Sequence, residues 1–142
     1  MEIHIINGPN LNLLGKREPG IYGSKSFDDY FKELTVQFPN DELHYFQSNH
    51  EGALLDYLHL NGFNNCGFIL NAGAYTHTSI ALADAISGIK APVVEVHISN
   101  VYKREAFRHH SYIKPVCAYT IVGKGLEGYA EAIDFLKENQ AS

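Results

Sequence analysis

The chain has 142 residues, 45% hydrophobic and 19% charged, with 11 Lys and Arg against 16 Asp and Glu for a formal net charge of −5. That length suits one domain, residues 1–142, burying roughly 70% of the surface its unfolded form exposes. No apolar run approaches the ~20 residues of a bilayer span, no export signal opens the chain, and the acidic balance argues against nucleic acid or an anionic membrane as partner, so a cytoplasmic location is expected.

Short apolar runs alternate with longer amphipathic ones, the pattern of a parallel sheet with helices on both faces. Ile3 to Ile6 reads as the first strand. The loop from Gly8 to Gly23 follows, carrying Lys16, Arg17 and Tyr22, and is far longer than the usual connection of about two to six residues, which suggests a lid. Phe27, Tyr30, Phe31, Leu34 and Phe38 then recur at helical spacing behind Ser26, a good N-cap with Asp29 following. Leu43 to Phe46 is the second strand, and Leu54, Leu55 and Leu58 mark a helix closed by Gly62. Gly67 to Leu70 is the third strand. The helix from Ile80 to Ile86 is expected to start at Thr78 or Ser79 and to end at Gly88 through a positive φ. Val93 to Ile98, a short helix near residues 104–110, Ala118 to Val122, and a last helix through Leu126, Tyr129, Ala130, Ile133 and Leu136 complete five strands of a doubly wound fold.

Such folds bind ligands beyond the carboxyl ends of their strands. Those positions are polar here: Asn7 to Asn10, Ser48 to His50, Asn71 to Gly73, and His97 to Asn100. Asn, Ser and Gly also favour turns for their own sake, but four such segments at one end of a sheet point to a site. Within the fourth strand, Glu95 and His97 interrupt a run that should be buried on both faces, and alternation puts them on one side. A carboxylate there needs a donor, and a carboxylate-held imidazole suits a general acid or base; a purely structural ion pair is the alternative. All three arginines, Arg17, Arg104 and Arg108, fall in irregular segments, as if kept for a small anion. A guanidinium near Tyr22 would favour its phenolate, making the phenol a usable base. Backbone amides at the start of the third helix, or at Ile98 and Ser99, would suit a carboxylate. No metal is expected, since His77, His97, His109 and His110 show no ligand spacing. Cys66 and Cys117 lack a CxxC or a nearby ligand cluster and read as buried free thiols. No lysine interrupts a strand at the cleft, which disfavours imine chemistry.

Gly8-Pro9-Asn10-Leu11-Asn12-Leu13-Leu14-Gly15, followed by Arg17-Glu18-Pro19 and Tyr22-Gly23, is similar to the type II 3-dehydroquinate dehydratases. Ser48 to Gly52, Asn71 to Ala74 with Thr76 to Ser79, Glu95 to Asn100, and Phe107 to Tyr112 continue the likeness in the family's order over nearly the whole chain. The resemblance implies a flavodoxin-like doubly wound five-stranded parallel sheet, a dodecamer built as a tetramer of trimers, no cofactor, and dehydration of 3-dehydroquinate to 3-dehydroshikimate by anti elimination. It implies Tyr22 as base, Arg17 favouring its phenolate, Asn10 stabilising an enolate, and His97 as acid oriented by Glu95. Asn71, Ile98 and Ser99 would hold the substrate carboxylate, His77 and Arg108 ring hydroxyls, and Asp84 would reach in from a neighbouring subunit. Lys124, Glu127 and Ala53 depart from the family pattern. A binding module on the same fold fits less well: a receiver wants carboxylates where Asn7 and Asn71 stand, and a flavin phosphate wants a short Ser/Thr-rich first loop.

Overall fold

The alternation of side chains along each strand dictates the layering. In β1 (Glu2–Asn7) the odd-numbered Ile3 and Ile5 pack into one apolar layer and Ile6 into the other. The computed structural model describes residues 1–16, 20 and 24–140. After β1 come α1 (Phe27–Gln37), β2 (Glu42–Gln47), α2 (Glu51–Asn61), β3 (Cys66–Asn71), α3 (Ile80–Gly88), β4 (Val93–His97), β5 (Tyr119–Val122) and α4 (Glu127–Glu138). All strand pairings are parallel, in the order β2-β1-β3-β4-β5. Helices α1 and α4 cover the face holding Ile3, Ile5, Ile69, Val94 and Val96, while α2 and α3 cover Ile6, Phe68 and Leu70. This is the flavodoxin-like arrangement. Both faces of β3 and β4 are therefore buried along their whole length, which is why these strands read as near-continuous apolar runs.

Local chemistry sets the helix boundaries. The Ser26 hydroxyl accepts from the Asp29 amide at 3.2 Å, and the Ser79 hydroxyl from the Leu82 amide at 2.9 Å, satisfying donors that a helix start leaves open. Leu34 of α1 and Tyr129 of α4 are fully buried; truncating such a leucine to alanine costs about 2–5 kcal/mol.

Three expectations are corrected. Gly88 lies inside the last turn of α3 without a positive φ; the helix ends because Ile89 turns extended while its amide bonds the Ala85 carbonyl. Residues 104–110 are not one helix. Two single 3-10 turns, Val101–Lys103 and Ala106–Arg108, are separated by Arg104 in an extended conformation. Cys66 is buried, but Cys117, just before the short edge strand β5, is only half-buried; both are free thiols. Among the described residues no helix is long and apolar enough to cross a membrane.

Candidate active site

The sheet reverses its winding between β1 and β3, and at such a switch point the connections leave in opposite directions and open a crevice. Here the two exits approach closely. The Gly8 amide donates to the Asn71 carbonyl at 2.8 Å, and a Cβ on Gly8 would sit 2.7 Å from the Ala72 carbonyl carbon. Only glycine fits. Asn10 adopts a left-handed conformation with φ 69°, and its amide donates to the Asn49 side-chain oxygen at 3.0 Å, tying the first loop to the end of β2. The resulting cleft, about 110 Å³, is walled by Asn10, Asn71, Gly73, His77, His97, Ile98, Ser99, Arg104 and Arg108.

Its innermost polar group is Glu95, fully buried on β4. One carboxylate oxygen is 2.7 Å from His97 Nε2 and accepts from the Ser111 hydroxyl at 2.6 Å, while the other accepts from Thr120 at 2.8 Å. Burial alone would raise this carboxyl's pKa; the bond from His97, its charge, and the two hydroxyls reverse that and hold it below the ordinary carboxylate range. Glu95 is thus an anion fixed against one ring nitrogen. Nδ1 of His97 is the nitrogen that the carboxylate does not engage. The ring of His77 lies nearly parallel to that of His97, with centroids 6.4 Å apart. His77 Nδ1 donates to the His110 carbonyl at 2.7 Å, which leaves Nε2 with its lone pair. Burial lowers the His77 pKa, and the charges of His97 and Arg108 lower it further against the pull of that carbonyl.

A second network underlies the cleft. The Tyr129 hydroxyl donates to Asn7 Oδ1 at 2.7 Å and accepts from Asn71 Nδ2 at 3.1 Å. Asn71 Oδ1 in turn accepts from the Gly73 amide at 3.2 Å. The Asn71 side chain is therefore held at both ends, with one N–H of its amide left over.

The fold brings together Asn10, Asn71, His77, His97, Ile98, Ser99 and Arg108, with Glu95 behind His97. Arg108 is held by Glu105 at 2.6 Å. Asp84 is not among them: it is exposed on α3, in a separate cleft with Leu55, His59 and Phe63. Tyr22 and Arg17 lie outside the described residues. Sequence reasoning gave no specific role to Arg104, which lines the cleft and reaches the Ser99 hydroxyl at 3.4 Å; its rarity as one of three arginines was the available signal. It also missed Ser111 and Thr120, whose hydroxyls carry no pattern of their own.

A doubly wound sheet with a carboxylate-held imidazole and arginines at its switch point is laid out for acid–base chemistry on a small anion. The model of the class II dehydroquinase family matches residues 1–137, and the chain belongs to that family. A protein of Exiguobacterium sp. named 3-dehydroquinate dehydratase is 57% identical over 140 residues, covering 98% of this chain and 96% of its own. The catabolic 3-dehydroquinase of Pyricularia oryzae is 50% identical over 138 residues, covering 94% and 88%. The crystal structure of the type II dehydroquinase from Butyrivibrio crossotus superposes with a TM-score of 0.93 at 47% identity, covering 96% of this chain and 97% of that one.

Proposed function

We propose that this protein is a hydro-lyase that converts 3-dehydroquinate to 3-dehydroshikimate by anti elimination of water through an enolate. The observation that carries this reading is the buried Glu95–His97 pair opening on a cleft that also holds Arg104 and Arg108. Eliminating a β-hydroxyl from a ketone needs a base for the carbon-bound proton, a stabiliser for the enolate, and an acid for the leaving hydroxyl. Tyr22, as a phenolate favoured by Arg17, takes the proton, and Asn10 stabilises the enolate. His97, protonated against the Glu95 anion, gives the Nδ1 proton to the departing hydroxyl and is left neutral with Nε2–H on Glu95. The proton held by Tyr22 returns through solvent to reset the pair. Asn71, Ile98 and Ser99 take the substrate carboxylate, and His77 and Arg108 the ring hydroxyls. No cofactor enters any step.

The active unit is a single catalytic domain, residues 1–142, in a cytoplasmic homo-oligomer, a dodecamer made as a tetramer of trimers in which Asp84 reaches a neighbour's cleft. Leu60 on α2, Phe63 in the turn after it and Ile80 at the start of α3 support an interface there, because they expose 78%, 62% and 59% of their surface. Mixing pure protein with 3-dehydroquinate should raise the ultraviolet absorbance of the conjugated enone product, with or without prior chelation. A flat trace from folded protein overturns the reading. Tyr22→Phe should remove most turnover with substrate affinity largely kept, and near-normal turnover would exclude Tyr22 as base.

A further inference from the structure

At the opposite end of the sheet, on the face covered by α2, three potential metal ligands from two strands converge. Glu2 and His4 alternate onto that face of β1, and the parallel register sets Glu2 beside Cys66, the first residue of β3. The ligand atoms of Glu2, His4 and Cys66 all lie within 4.8 Å of one another. His4 Nε2 is 2.5 Å from the Glu2 carboxylate, and its other nitrogen, Nδ1, is 2.7 Å from the Tyr57 hydroxyl on α2. The imidazole is further fixed by stacking on His44 of β2, with centroids 4.7 Å apart, and by Phe68 at 5.4 Å. His4 and Cys66 are each only 4% exposed, whereas the Glu2 side chain is 28% exposed, which gives an ion a way in.

We propose that Glu2, His4 and Cys66 form a site for a zinc-class divalent cation, separate from the catalytic cleft. One thiolate, one imidazole and one carboxylate are the donor types that zinc and cobalt(II) take, with a water completing four-coordination. Calcium and magnesium want several oxygens and find a single carboxylate. The outer hydrogen bond is of the right kind: the Tyr57 hydroxyl can accept from Nδ1–H and so present the Nε2 lone pair inward. Binding releases the Cys66 thiol proton to solvent and displaces the Nε2 proton that His4 gives to the Glu2 carboxylate. That proton moves to Nδ1 of a neutral ring or to solvent from a charged one, so that His4 ligates through Nε2 and keeps one proton on Nδ1. The carbonyl of Asn61, which accepts from the Cys66 thiol at 3.4 Å, keeps its bond from the Asn64 amide at 3.0 Å, so no buried acceptor is orphaned. Burial pushes the free thiol's pKa up to about 11; the metal therefore displaces a proton rather than meeting a ready thiolate. Bound metal would tie the start of β1 to the start of β3, which pair in parallel but lie far apart along the chain.

The test is cobalt(II) titrated into the full-length protein and followed by absorption. One equivalent should bring up a thiolate-to-cobalt charge-transfer band and tetrahedral d–d bands. Cys66→Ser should abolish the charge-transfer band, while Cys117→Ser should keep it. Tyr57→Phe should weaken binding by about 10–100-fold. Zinc should also raise the thermal midpoint of the parent protein with increasing concentration, a measurement that needs no variant to fold. Absence of the bands in the parent, their survival in Cys66→Ser, their loss in Cys117→Ser, unchanged affinity in Tyr57→Phe, or a midpoint indifferent to zinc would each overturn the assignment.

Discussion

The tripeptides Glu2-Ile3-His4 and Glu95-Val96-His97 put the same pair of groups at the same spacing on parallel strands, at opposite ends of the sheet. Both make the contact that alternation predicts, at 2.5 Å and 2.7 Å. Their surroundings separate them. Glu95 has both oxygens engaged, by two hydroxyls and the imidazole, and its histidine opens on an arginine-bearing cleft. Glu2 is partly exposed, and beside its histidine stands a thiol rather than a pocket. The lesson is that a carboxylate–imidazole pair is a component, and that the groups around it decide whether it moves protons or waits for a cation.

Substitution at matched positions tests that contrast. The largest difference is expected between the two histidines: His97→Ala should lower kcat about 10²–10⁴-fold, the usual worth of a positioned acid, whereas His4→Gln should leave turnover near that of the parent. Steady-state kinetics on both variants would break the comparison if His4→Gln were the more damaging. Next come the hydroxyls that hold Glu95. Thr120→Val leaves a buried carboxylate oxygen without its donor, so unfolding in denaturant should show a loss of about 1–3 kcal/mol. Glu2→Gln removes a half-solvated partner and should cost no more than about 1 kcal/mol.

The smallest effect concerns pH. The Glu95 carboxyl titrates below its ordinary value in the folded protein, so the unfolded chain binds its proton first as pH falls. The stabilisation is therefore complete at neutral pH and drains away below the ordinary carboxylate value of about 4.3. Denaturation curves collected on the acid side should show that loss in the parent protein and a weaker one in His97→Ala, which lacks the main group opposing burial. An identical acid slope in the two would show that the imidazole does not hold Glu95 down.

Much of this is legible in the sequence. The apolar runs identify all five strands, Ser26 marks one helix start and Thr78 or Ser79 another, which the structure resolves to Ser79, and two ionisable residues in a buried strand single out Glu95 and His97. What escaped depends on distance along the chain or on fine geometry. In the sequence Cys66 has no ligand-type residue close by, and only the parallel pairing of β1 and β3 brings Glu2 alongside. Ser111 and Thr120 find Glu95 only through the path of the chain after β4. Gly88 reads as a left-handed terminator, but an extended Ile89 ends the helix equally well. Asp84 stands apart from the cleft within one chain, so the role that the family resemblance implies for it would need a neighbouring copy.

The Tyr129 hydroxyl, lent by the last helix to Asn7 and Asn71, has a bearing on biosynthesis. During translation the first three strands emerge early and can pair, yet the amide of Asn71 cannot find its final partner until nearly the whole polypeptide has been made. A ribosome stalled before α4 would display a nascent sheet in which the side chains of Asn7 and Asn71 still lack the hydroxyl that joins them.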